Sequence, residues 1–115
     1  MIRLFAALLA LSISTCQASD PLEAALLFHA LDYAQTMEIA GTCHSPGGYH
    51  ERNSALARCP SKSAVTRYFA GTAAIGLTTH YLLPENYRPY LSYAWLTIEA
   101  GTVARNYSMG LRFNF

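Results

Sequence analysis

Two sets of polar side chains recur at helical spacing inside stretches that are otherwise apolar. His29, Asp32, Gln35 and Thr36 fall at about 0°, 300°, 240° and 340° when each residue turns ~100°, so they share one helical face. Arg88, Ser92, Trp95, Glu99, Thr102 and Asn106 form a second narrow stripe by the same count. Asp32 and Glu99 are central in their segments. If the two stripes meet, the carboxyl groups cannot both ionise cheaply, so one keeps a proton or a cation sits between them. His29 and His80 are then further ligands or proton acceptors. The plainer reading is interhelical glue, hydrogen-bonded through Gln35, Thr36, Thr102 and Asn106.

Between the stripes, Cys43, His44, His50 and Cys59 place four soft-metal donors in one loop, but without the paired C-x-x-C or H-x-x-x-H spacing of a zinc knuckle. In an oxidising compartment Cys43 and Cys59 could instead close a disulfide worth ~3 kcal/mol, whereas a cytoplasmic loop would keep both thiols free. No G-x-S-x-G elbow, H-E-x-x-H pair, G-x-G-x-x-G turn or Walker loop is present, so a non-enzymatic protein without a cofactor is expected.

These residues need three helices to position them. Asp20-Pro21 suits a helix start, and the pattern runs over about 22–40 before Gly41. A loop over 41–62 holds Ser45-Pro46-Gly47-Gly48 and Cys59-Pro60-Ser61. A second helix spans 63–83, rich in small residues from Ala70 to Gly76, which allow close helix approach, and a third spans 87–109 with Pro89 in its first turn. The tail Leu111-Arg112-Phe113-Asn114-Phe115 alternates like a barrel strand, but one such segment makes no barrel.

Ahead of the helices, Met1-Ile2-Arg3 followed by Leu4 to Ile13 reads as a signal peptide over 1–18, with cleavage after Ala18 and a single domain over 19–115. Lipidation at Cys16 and a retained anchor are the alternatives. The chain is 52% hydrophobic and only 13% charged, roughly half the ~25% usual for soluble domains, which brings a membrane into consideration. Net charge is +1 with dispersed basic residues, which argues against nucleic acid as a partner. With the mature N-terminus outside, Arg52, Arg58, Lys62, Arg67, Arg105 and Arg112 fall on or near the cytoplasmic side and Arg88 alone outside, as the positive-inside rule prefers. Tyr87, Tyr90, Tyr93 and Trp95 would then form an outer interfacial belt. The expected fold is therefore all-α, a bundle of three membrane helices in the bacterial inner membrane after export, with free cytoplasmic cysteines. A soluble exported bundle in the periplasm, carrying a Cys43–Cys59 disulfide, is the alternative.

Asp32-Tyr33-Ala34-Gln35-Thr36, Glu51-Arg52-Asn53, Pro60-Ser61, Tyr68-Phe69, Leu83-Pro84 and Glu99 with Val103-Ala104-Arg105-Asn106 carry a resemblance. Over most of Leu31 to Arg112, the chain resembles small uncharacterised membrane proteins encoded by proteobacteria and their phages. It is also similar to short polytopic proteins in which an Asp and a Thr on the first span precede a Glu-x-Asn-Pro loop, with Ser54 here in place of that Pro. The resemblance implies an integral membrane bundle and no particular activity. The expected function is a small non-enzymatic membrane protein acting through helix packing or partner contacts, with the bilayer, a second copy or another membrane protein as partner. The alternative is a proton- or cation-coupled site around Asp32 and Glu99.

Overall fold

The computed structural model describes residues 20–111. Three helices of equal length account for most of them: α1 over Leu22–Thr42, α2 over Lys62–Leu82 and α3 over Arg88–Ser108. No strand occurs among the described residues. The segment read as a signal peptide, 1–18, and the tail from Arg112 onward lie outside them.

Each helix begins and ends for a local reason. The Asp20 carboxylate accepts the Leu22 amide at 3.2 Å and Pro21 precedes the first turn, where its missing N–H costs nothing. Gly41 does not stop α1, which runs to Thr42, whose hydroxyl donates to the Glu38 carbonyl at 2.9 Å. Ser61 caps α2 by accepting the Ala64 amide at 3.1 Å, and Leu83 turns extended ahead of Pro84. At the end of α3, Gly110 takes φ +101°. The amides of Gly110 and Leu111 then reach back to the carbonyls of Tyr107 and Asn106, both at 3.1 Å, the paired bonds of a Schellman cap.

Helix α1 is the central element, packing most extensively on α3, less on α2, while α2 and α3 touch least. That placement explains the mixed core. Ala24, Ala25, Phe28, Ile39, Val65, Phe69, Val103 and Leu111 are buried, but so are His29, Gln35, Thr36, His80, Ser92, Glu99 and Asn106. Buried polar groups are tolerated where they are hydrogen-bonded, so the polar stripe of α1 needs donors and acceptors from both neighbours. The small-residue run of α2 is used at one point: Gly76 lies under the Trp95 ring, and a Cβ there would come within 2.7 Å of it, while Gly71 faces open space.

The three expected helices are present, and one expectation, that of free cysteines, is corrected here. No helix among the described residues is long and apolar enough to cross a membrane. The physical reason lies in the side chains: α1 carries Glu23, His29, Asp32 and Glu38, α3 carries Arg88, Glu99 and Arg105, and α2 dilutes its apolar residues with Thr, Ser and Gly. The cysteines, expected as free thiols, are joined: Cys43 and Cys59 form a disulfide with Cα atoms 5.6 Å apart. The bond ties the end of α1 to the approach to α2, closing the intervening loop into a ring.

Candidate functional site

At the centre of the bundle Glu99 gathers three partners. His29 Nδ1 lies 2.6 Å from its Oε1, and the Trp95 indole N–H donates to the same oxygen at 3.1 Å. Asp32 is its third neighbour. On the other side of the imidazole, His29 Nε2 meets the Phe69 carbonyl at 3.0 Å. A carbonyl can only accept, so Nε2 carries a proton, and a second proton on Nδ1 makes an ion pair with Glu99. Phe69 and Trp95 enclose the imidazole, with ring centroids 5.0 and 5.6 Å away.

The electrostatics follow from this crowding. The hydrogen bond to Glu99 raises His29 above its ordinary 6.5 against the opposing effect of burial, with the Phe69 carbonyl and the charges of Glu99 and Asp32 adding to the rise. Burial is the chief cause that pushes Asp32 up to about 7; the Glu99 charge, the hydrogen bond to Glu99 and the Glu51 charge add to it, and His29 opposes. Asp32 therefore exchanges its proton near neutral pH, while its neighbours favour the protonated form of His29.

One turn further along, the stripe is closed by amides. Gln35 Nε2 donates to the Val103 carbonyl at 3.2 Å, and Asn106 Nδ2 donates to Gln35 Oε1 at 3.2 Å. The same Asn106 nitrogen lies 3.5 Å from Asp32 Oδ1, at the limit of a hydrogen bond. Thr36 is buried beside them.

A cleft of about 700 Å³ opens over Asp32 and Glu99. Its far wall is the loop held by the disulfide, with Tyr49, His50, Glu51, Arg52, Asn53 and Arg58, and Tyr68, Arg105 and Asn106 complete it. The loop is shaped by its own side chains. Glu51 Oε1 accepts the amides of Arg52 at 3.0 Å and Asn53 at 2.8 Å, Asn53 Oδ1 accepts the Ala55 amide at 3.0 Å, and Asn53 Nδ2 donates to the Tyr68 hydroxyl at 2.7 Å. Glu51 and Asn53 thereby fold a turn and pin it to α2. Gly48 lets the loop pass against α1, since a Cβ there would sit 1.8 Å from the Thr42 carbonyl oxygen.

Of the residues read from the sequence as one polar cluster, His29, Asp32, Gln35, Glu99 and Asn106 meet in this network, with Thr36 alongside. His80 does not. It lies near the far end of α2, eleven residues beyond Phe69 and so about 16 Å along the axis, where its Nε2 pairs with the Asp20 carboxylate. Among the metal candidates, the donor atoms of Cys43, His50 and Cys59 lie within 4.8 Å of one another, and His44 is not in that group. The sulfurs are bonded to each other, so neither is available as a thiolate ligand. The cleft-lining roles of Glu51, Asn53, Tyr68 and Arg105 are not legible in the sequence; the only signal is the Glu51-x-Asn53 spacing, which marks a turn rather than a wall. The chain matches no protein-family model, no curated protein and no solved structure.

Proposed function

We propose that this chain is a small exported, non-enzymatic binding protein whose working site is the cleft over Asp32 and Glu99. The observation that carries the proposal is the Asp32 carboxyl: it lines the cleft, exchanges its proton near pH 7, and has only the 3.5 Å contact from Asn106 as a donor among the described residues. Asp32 is thus the one member of the network that gains a strong partner when a cationic group enters. Arg52, Arg58 and Arg105 also line the cleft, so the matching ligand is zwitterionic, with an ammonium group at the floor and a carboxylate towards the arginines. Export is supported by the leader-like run over Met1–Ala18 and by a disulfide, a bond that persists in oxidising compartments.

The likeness to proteobacterial and phage membrane proteins belongs to the same proposal. Several residues that carry it, Asp32, Glu51, Arg52, Asn53, Tyr68, Glu99, Arg105 and Asn106, line the cleft. Membrane attachment we assign to the apolar run Leu4–Ile13, kept as an anchor, which leaves the bundle on the outer side of the inner membrane.

Titration calorimetry with alanyl-alanine, methylammonium and acetate tests the site. The dipeptide should bind more tightly than either ion, and its binding at pH 7 should release part of a proton that Asp32→Asn no longer releases. Equal binding of all three probes, or none, removes the cleft as a zwitterion site and leaves the network as interhelical glue.

A further inference from the structure

The end of the bundle opposite the cleft is built differently. It joins the start of α1, the end of α2 and the start of α3, and two contacts identify it as one neighbourhood: Asp20 with His80, and Arg88 with the end of α2. Arg88 is occupied there. Its Nε and one terminal nitrogen donate to the carbonyls of Leu83 and Tyr81 at 3.0 and 3.2 Å, and its guanidinium lies 5.8 Å from the Tyr81 ring centre.

Around this polar joint, the large side chains point outward. Leu82 is 80% exposed, Tyr90 73%, Tyr81 62% and Tyr87 55%. From Phe69 to Leu83 the sequence holds no ionisable residue except His80, which is buried, and Tyr81. A leucine ringed by three tyrosines is the composition of a lipid interface, where a ring body lies among acyl chains and the hydroxyl stays among headgroups. The patch alone does not say what covers it. The chain does: its most apolar run, Leu4–Ile13, joins the bundle at this end through Asp20. Six residues separate Ile13 from Asp20, a reach of at most ~25 Å when fully extended.

We propose that the Tyr81, Leu82, Tyr87 and Tyr90 end of the bundle rests on the bilayer surface that holds Leu4–Ile13, so that the cleft opens away from the membrane. This rests on the membrane attachment proposed above. Glu23 and Glu85 are exposed at the same end and Arg88 is engaged, so the contact is apolar and aromatic rather than an attraction to anionic lipid. Asp32 stands ten residues beyond Leu22, which sets the cleft floor roughly 15 Å along α1 from this end, and the loop wall beyond it further still.

Hydrogen exchange on the full chain tests the contact, in phosphatidylethanolamine vesicles carrying either a small or a large fraction of phosphatidylglycerol. Amides over 80–91 should exchange about tenfold more slowly with vesicles than without, equally in both lipid mixtures, while those over 44–58 stay unchanged. The triple variant Leu82→Ser, Tyr87→Ser, Tyr90→Ser replaces only exposed side chains. It should keep its helical circular dichroism and its flotation with vesicles yet lose the protection. A wild-type chain that floats with vesicles but shows no protection over 80–91 overturns the orientation and leaves attachment standing; one that does not float overturns both. Protection without vesicles that grows with protein concentration assigns the patch to a second copy, and protection only in the phosphatidylglycerol-rich vesicles makes it an anionic-lipid contact; either overturns the proposal.

Discussion

His29 and Glu99, seventy residues apart in the chain, are joined by a 2.6 Å contact that fixes α1 against α3. The contact is buried, and breaking a buried pair by removing one partner costs more than the pair contributes, because the other charge is stranded. Glu99→Gln should therefore destabilise the fold by about 2–4 kcal/mol at pH 6. The loss should shrink by pH 9, where His29 is neutral and no longer needs the charge. Urea unfolding of both proteins at the two pH values checks this.

Stability of the wild type should fall as pH rises through neutrality. His29 has a raised folded pKa, so its contribution is fully present below the unfolded value near 6.5 and is lost as pH rises through the folded one. Asp32 has the same sign: its folded value of about 7 lies above the unfolded 3.8, so ionisation progressively destabilises the fold between those two pH values and somewhat beyond. Asp20 acts oppositely. Burial pushes it up, but the neighbouring Ser92 side chain, the hydrogen bond and charge of His80 and the Leu22 amide together lower it, so its contribution disappears as pH falls below 3.8 through the folded value. Thermal melts should be highest near pH 4, above which Asp32 starts to lose its contribution and below which Asp20 loses its own. Asp32→Asn, which keeps a donor for Glu99, should lessen the alkaline loss, and an unchanged alkaline slope in that variant would count against the raised Asp32.

Gly76→Ala probes the seat of Trp95. The new methyl would come within 2.7 Å of the ring, so the indole must move and strain its 3.1 Å bond to Glu99. Overpacking of this kind costs roughly 1–3 kcal/mol. Gly71→Ala on the same helix meets open space and should be neutral or slightly stabilising. Trp95 emission, the only tryptophan signal, should shift in the first variant and not in the second.

Replacing Cys43 and Cys59 together by Ser should lower stability by about 3 kcal/mol, given the 16-residue separation. The helices should survive, while exchange over 44–58 quickens and any cleft ligand binds less tightly, because that loop is the cleft's far wall. Circular dichroism with hydrogen exchange separates the two effects.

What the sequence makes legible is what helical periodicity governs. Counting ~100° per residue places His29 and Asp32 on one face and Glu99 on another, and burial then requires those faces to find each other. Helix limits are readable to within two residues, because Pro21, Ser61 and Pro89 act locally. The partner of His80 is not legible. On the helical wheel His80 is one more polar residue, and only the tertiary meeting of three helix ends brings Asp20 to it. The wall formed by Glu51, Asn53 and Tyr68 is hidden for the same reason, since a loop has no periodicity to project and its placement depends on Gly48 passing Thr42. The membrane-spanning expectation leans on mean composition, whereas the polar residues that weigh against spanning are the ones through which α1 and α3 bind each other.

The ring closed by Cys43 and Cys59 bears on how the chain would age among proteases. Exposed loop tips are where nicking concentrates, and residues 44–47 and 54–55 are exposed. A single cut anywhere between the two cysteines adds one water and leaves α1 covalently joined to α2 and α3. Such a nicked chain would run as one species on a non-reducing gel and as two fragments after reduction. Damage at the most vulnerable stretch would thus be held in place by the same bond that shapes the wall.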